Sequence, residues 1–183
     1  VSEVDGAAED AIIKVLSAAY PDHAILAEES GRQGDHRKSE FQWIIDPLDG
    51  TTNFLHQLPC FAVSVALRQN EEIVLGIVYE VNRQECFSAW KSGGAWLNGR
   101  RIHVSATPTL ADSLIATGFP YRDFETMQRY MEIMLHLMKS TRGLRRYGAA
   151  AVDLAYVACG RYEAFFEYGL AAWDVAAGIL LVQ

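Results

Sequence analysis

Between Trp43 and Phe54 the sequence reads Trp-Ile-Ile-Asp-Pro-Leu-Asp-Gly-Thr-Thr-Asn-Phe, so an apolar run ends in two carboxylates three residues apart and passes into a Gly-Thr-Thr turn. Hard divalent cations such as Mg²⁺ take oxygen ligands. Asp46 and Asp49, set across the turn at Pro47 with the Leu48 carbonyl between them, are suited to one ion or to two adjacent ions. Gly50 lets the backbone approach closely. If Thr51 and Thr52 open a helix, its unpaired N–H groups and positive dipole end favour an anion, so metal and helix end together suit a phosphate. Read in isolation, Asp-Pro and Asp-Gly are turn formers and Thr51 is a helix cap. Two further acidic positions favour the metal. Glu28 and Glu29 follow an apolar run in Leu-Ala-Glu-Glu-Ser, and Asp174 stands between Trp173 and Val-Ala-Ala-Gly, where a charge is costly unless paired or ligating. Asp5 is most simply a helix N-cap, and Glu29 a solvated neighbour of Glu28. Glu167 reads equally well as an exposed strand end and as an acceptor for the hydroxyls of a polyol.

These residues need elements to hold them. Residues 5–20 carry Ala8, Ala11, Ile12, Val15 and Ala19 at helical spacing and stop before Pro21, which predicts an amphipathic helix. A short strand over 24–27 then delivers Glu28 and Glu29. Residues 31–39 read as a polar loop, and 41–45 as a strand ended by Asp46-Pro47, because proline removes the next ladder donor. Residues 61–67, 73–79 and 85–90 are rich in β-branched and aromatic side chains and separated by turns, the pattern of an antiparallel meander. Asn98-Gly99 marks a tight hairpin. Beyond it the pattern predicts a strand over 113–117, a Met-rich helix over 124–139, a helix over 149–159 stopped by Gly160, a strand over 162–167 and a last helix from Trp173 to Leu181. No repeat or flexible linker interrupts the chain, so residues 1–183 are expected to form one domain of mixed strands and helices.

Composition excludes several function classes. With 183 residues, half of them apolar, the chain is long enough for a real core. The balance of 16 Lys plus Arg against 23 Asp plus Glu argues against direct binding of nucleic acid or anionic membranes. No apolar run reaches the ~18 residues of a membrane span, and the first residues do not form a signal peptide. Cys60, Cys86 and Cys159 are odd in number and widely spaced, which predicts buried thiols in a reducing, cytoplasmic setting. His23, His36, His56, His103 and His136 form no metal-binding pattern. Ser64 and Ser113 lack a nucleophile elbow, which argues against a serine hydrolase. Arg142, Arg145 and Arg146 form the one basic cluster. It reads as solvated or interface arginines, the alternative being a dock for a phosphate or polyanion.

The stretches Ala27-Glu28-Glu29-Ser30, Asp46 to Phe54 and Trp173-Asp174-Val175-Ala176-Ala177-Gly178 resemble, in order and spacing, the inositol monophosphatase family, and the likeness extends over essentially the whole chain. The resemblance implies a layered αβαβα sandwich. This chain is expected to lack the first helix and the C-terminal strands of that fold. It implies that Glu28, Asp46, the Leu48 carbonyl, Asp49 and Asp174 ligate two to three Mg²⁺ ions, and that Asp5 and Thr51, with Glu28, orient the attacking water. Asp49, Gly50, Thr51, Ala150, Glu167 and Asp174 are implied as contacts to substrate, although helix packing is the plain reading of Ala150. The implied activity is hydrolysis of a small polyol monophosphate such as inositol 1-phosphate by direct attack of a metal-activated water. Sensitivity to Li⁺ and a homodimer are also expected. Fructose bisphosphate, nucleotide phosphate and histidinol phosphate are alternative substrates of the same chemistry. A regulatory protein that docks on a macromolecular partner, with hydrolysis secondary, is the alternative of another class.

Overall fold

A computed structural model describes residues 2–35, 38–120 and 124–183, so His36 lies outside the described residues. The chain opens with helix α1 (Glu3–Ala19), strands β1 (Ala24–Ala27), β2 (Gly31–Gln33) and β3 (Phe41–Asp49), and the short helix α2 (Thr51–Leu55). The meander follows as β4 (Ala62–Gln69), β5 (Glu72–Glu80), β6 (Glu85–Trp90), β7 (Gly94–Leu97) and β8 (Arg100–Ile102). Then come β9 (Leu114–Thr117), α3 (Met127–Ser140), β10 (Gly143–Arg145), α4 (Ala150–Ala158), β11 (Ala164–Phe166) and α5 (Ala172–Val182).

The first eight strands make one sheet in the order β2-β1-β3-β4-β5-β6-β7-β8, and the last three make a second in the order β10-β9-β11. On one face of the large sheet, Ile12, Ile13 and Leu16 of α1 pack on Ile25, Ala27, Trp43 and Ile45. On the other face α4 and α5 close the main core, in which Ile44, Val78 and Phe87 meet Ala155, Ala177 and Leu181. Burying side chains of the Leu, Ile or Phe class contributes about 1.5–3 kcal/mol each, which is what binds helix to sheet here. Helix α4 also packs against β11, and α3 lies on β10. The layers therefore run helix, sheet, helix, sheet, helix, the expected αβαβα sandwich.

Antiparallel pairing holds from β3 to β8, as the meander predicts. Asn98 and Gly99 both take positive φ, 47° and 76°, the conformation of a two-residue hairpin turn. Local expectations fail in four places. Residues 31–33 form the edge strand β2 rather than loop, antiparallel to β1; three polar residues carry no apolar alternation to announce it. Pro47 does not end β3, which runs on to Asp49 through a register shift between Asp46 and Asp49. Such irregularities are where a sheet tolerates proline. Ser2, not Asp5, is the N-cap of α1, and Asp5 is the third helical residue, whose carboxylate accepts the Ser2 N–H in a capping box. Strand β10 had no visible pattern. The three cysteines are unpaired, as expected, but half-buried.

Candidate active site

The site begins with a register. β1 and β3 run parallel, with Ala27 beside Ile45, so Glu28, the first residue past β1, lies beside Asp46 of β3. The Glu28 N–H donates to the Ile45 carbonyl at 3.1 Å and keeps the pair together past the last strand residue. Open α/β sheets bind ligands at such carboxyl ends of parallel strands. Behind this edge Glu9 of α1 is only 2% exposed and accepts the N–H groups of Glu29 and Ser30, both at 2.9 Å, which fixes the turn that presents Glu28.

Asp46 is buried, and its Oδ1 accepts the Leu48 N–H at 2.9 Å. Asp49 reaches across the core to the start of α4, whose own cap residue, Ala149, has no side chain able to help. Its two carboxylate oxygens accept the N–H groups of Ala150 at 3.1 Å and Ala151 at 2.7 Å. The backbone donor of Ala150, anticipated as a substrate contact, is thus already committed to Asp49. Gly50, at φ 89°, turns the chain from β3 into α2. An added Cβ would meet the Cys60 carbonyl at 3.0 Å, so only glycine suits the position. The Thr51 hydroxyl lies 3.1 Å from Asp5 Oδ1 and 3.0 Å from the Leu48 carbonyl oxygen. Asn53 anchors the turn from below, donating to the carbonyls of Cys60 at 2.8 Å and Tyr147 at 2.7 Å. At the start of α5, Asp174 accepts the Ala171 N–H at 2.6 Å.

Some of these groups line a cleft of about 310 Å³. Asp49, Gly50, Thr51 and Asp174 form one side, while Gly148, Ala150, Arg146 and Glu167 line the rest. The starts of α2, α4 and α5 thus border one cavity, an arrangement that favours anions. The sequence reads Arg146 as a solvated or interface arginine, but it lines the cleft, with its guanidinium 5.5 Å above the Phe119 ring.

Crowded acids set the electrostatics. Burial, then the charges of Asp49 and Glu28, push the Asp46 carboxyl up to about 10. Burial also raises Asp49 to about 7, with the N–H groups at the start of α4 opposing and Asp174 adding to the shift. Glu28 is exposed as a residue, yet partial burial of its carboxyl raises it, against a hydrogen bond shared with Asp46 and together with the charge of Asp174. Asp5 behaves oppositely: burial would raise it, but hydrogen bonds from Ser2 and Thr51 outweigh burial and lower it. It stays ionised as the acceptor for Thr51. Glu167 is raised to about 7 by burial, partly offset by Arg146.

The structure therefore gathers Glu28, Asp46, Asp49 and Asp174 into one electrostatically coupled set, with Asp5 and Thr51 behind it and Glu167 across the cleft. Among the described residues it does not draw three carboxylates into a closed cation cage. The donor chemistry fits Mg²⁺ all the same. Every anticipated ligand is a hard oxygen, and like charges this close hold each other's protons until a cation relieves them. Sequence reasoning missed Glu9, Asn53 and Asp153. Glu9 lies four residues after Asp5, on the same helix face, and a second acid there was a readable signal. Asp153 is 1% exposed with no hydrogen-bond partner for Oδ1, and burial raises it to about 8. Nothing short of the fold reveals that it lies close enough to feel the charge of Asp49.

The profile of the inositol monophosphatase family matches residues 1–183. The Nus factor SuhB of Pseudomonas aeruginosa is 50% identical over 186 residues, covering 100% of this chain and 69% of its own length. An inositol-1-monophosphatase of Mesorhizobium japonicum is 44% identical over 183 residues, covering 100% of this chain and 68% of its own. The crystal structure of the extragenic suppressor protein suhB from Bartonella henselae superposes with a TM-score of 0.95 at 46% identity, covering 100% of this chain and 69% of that one.

Proposed function

The chain belongs to the inositol monophosphatase family and is a phosphatase, and from that premise we propose that it hydrolyses a small polyol monophosphate, inositol 1-phosphate foremost, with Mg²⁺ held by Glu28, Asp46, the Leu48 carbonyl, Asp49 and Asp174. The observation that carries this reading is the meeting of the end of β3, at Asp49, with the starts of α4 and α5 at one cleft, with Glu28 and Asp46 electrostatically coupled to it. When bound, Mg²⁺ supplies Lewis acidity, lowering the pKa of a water and neutralising charge on the phosphoryl oxygens.

The chain's own groups do the rest. Asp5, kept ionised, accepts the Thr51 hydroxyl, so Thr51 Oγ1 is fixed at the cleft wall and orients the attacking water. Glu28 takes that water's proton as the new P–O bond forms. The ester P–O bond breaks with its electron pair going to the polyol oxygen, which is protonated from solvent. The first N–H groups of α2 face developing charge on the phosphate. Glu167, with Arg146 beside it, reads the hydroxyls of the leaving polyol. The chain works in the cytoplasm and as a homodimer on this reading; among the described residues no helix is long and apolar enough to cross a membrane.

Phosphate release from a panel of sugar, polyol, nucleotide and aryl monophosphates, with and without Mg²⁺, tests this. Preference for polyol phosphates, lost in chelator, is expected; undiminished turnover in chelator contradicts it. A second reading is favoured by the relative named a Nus factor and by the exposed stripe Met131, Leu135 and Met138 on α3. In it, the chain docks on a macromolecular partner independently of hydrolysis. Partner-dependent function retained in full after Asp49→Asn distinguishes that role.

A further inference from the structure

The carboxylate assigned to substrate hydroxyls depends on a residue that contributes no side chain. Glu167 follows the last residue of β11, and β11 pairs in parallel with β9, with Phe166 beside Thr117. Gly118, the next residue after β9, therefore lies beside Glu167. A methyl group placed on Gly118 would sit 1.9 Å from both Cδ and Oε2 of Glu167 and 2.2 Å from Oε1. The Glu167 carboxyl group thus occupies the volume that any other residue at 118 would fill.

The floor beneath this contact is buried and hydrogen-bonded. Thr117 and Tyr130 are each 1% exposed. The Thr117 hydroxyl lies 2.9 Å from the Phe166 carbonyl and 2.8 Å from Tyr130 Oη, and the Tyr130 hydroxyl donates to the Gly118 carbonyl at 2.7 Å. Thr117 therefore ties the end of β9 to β11, and Tyr130 of α3 holds the end of β9, just where Gly118 and Glu167 emerge. Backbone on both sides is held, and only the Glu167 side chain is able to yield. The backbone of Gly118 does not lie at positive φ, so alanine fits its conformation.

We propose that Gly118 is a specificity-determining position: its missing side chain opens the space in which Glu167 is held against the cleft, and the Thr117–Tyr130 latch fixes that space. Gly118 is a positioning residue that acts through Glu167, and the inference rests on the assignment of Glu167 to the substrate's hydroxyls. Alanine at 118 meets the far end of a flexible side chain rather than backbone, so it rotates the carboxylate away at little cost in stability and spoils its aim.

The test is the ratio of kcat/KM for inositol 1-phosphate to that for phenyl phosphate, which offers no hydroxyls, measured on the full chain with Mg²⁺ for wild type, Gly118→Ala, Glu167→Gln and the double variant. Gly118→Ala is expected to lower this ratio about 10-fold or more, as loss of a charge-assisted hydrogen bond does, and to add nothing in the Glu167→Gln background. A wild-type ratio in Gly118→Ala alongside a lowered ratio in Glu167→Gln overturns the inference and leaves the role of Glu167 standing. A wild-type ratio in Glu167→Gln overturns that role and the inference with it. Should Gly118→Ala not fold, Tyr130→Phe takes its place: a smaller fall in the same ratio supports the latch, and an unchanged ratio overturns it.

Discussion

Two regions face each other across the cleft and are built on different principles. The floor, made of Glu28, Asp46, Asp49 and Thr51, hangs on the large sheet, where strand register and short backbone hydrogen bonds position each group. The rim, made of Arg146, Glu167 and Gly118, belongs to the small sheet and the loops beside it, and it is positioned by close side-chain contacts and by the hydrogen bonds of Thr117 and Tyr130. The floor concentrates like charge that asks for a cation. The rim sets one acid within the field of one guanidinium. On the proposed function this contrast is a division of labour, in which the floor would carry the reaction and the rim would select the molecule that undergoes it.

The sharpest way to break this division is to neutralise the floor's central acid. Asp49→Asn removes a ligand charge and weakens the tie to α4, and kcat is expected to fall roughly 10³-fold on every phosphomonoester, aryl phosphates included. A loss confined to polyol substrates would place Asp49 on the rim instead. Next comes Thr51→Ala, expected to lower kcat by about 10²- to 10³-fold while Mg²⁺ affinity stays close to wild type, because the carboxylate ligands remain. Rapid-quench trapping with labelled substrate checks the role of the hydroxyl. A phosphothreonine at position 51 that forms and decays at the turnover rate would make Thr51 the nucleophile rather than the orienter of water.

The same contrast explains what was legible beforehand. The floor could be read because its parts are local: Asp46-Pro47-Leu48-Asp49-Gly50-Thr51 lies in one stretch, and the apolar runs before Glu28 and Asp46 announce strands that deliver both acids. The αβαβα layering was legible only through family resemblance, since helical spacing places α1 and α4 on no particular face. Asp5 was assigned a cap that Ser2 performs, because a helix start one turn earlier is invisible when capping residues follow one another. Arg146 reads from sequence as a solvated or interface arginine because charge runs usually are solvated, and its place in the cleft depends on β10 meeting β9, a pairing of short strands without sequence pattern. Gly118 had no signal at all. A residue whose function is an absence of atoms shows itself only when its neighbours are known.

Smaller effects separate the regions further. Asn53→Ala removes the side-chain donor to the carbonyls of Cys60 and Tyr147, and chemical denaturation is expected to show a loss of about 1–3 kcal/mol. An unchanged midpoint would mean that the turn does not need this anchor.

The pH dependence of stability has a definite sign. In the metal-free protein burial pushes the carboxyls of Asp49 and Asp46 up to about 7 and about 10, above their ordinary values, so the folded chain holds protons more tightly than the unfolded one. Their contribution to stability is fully present below the ordinary carboxylate range and is lost as pH rises through about 7 and toward about 10. Thermal melting in chelator is expected to show Tm falling by several degrees, on the order of 5 °C, between about pH 5 and about pH 9, with excess Mg²⁺ abolishing the fall. A chelated protein whose Tm rises over that interval would contradict the crowding of the floor.

The most direct measurement is calorimetric titration of Mg²⁺ into the chelator-treated chain at neutral pH, for wild type, Asp49→Asn and Glu167→Gln. Saturable binding in wild type, at least about tenfold weaker in Asp49→Asn and little changed in Glu167→Gln, is the expected result. Equal binding by all three, or none by wild type, would contradict the assignment of the metal to the strand-end acids.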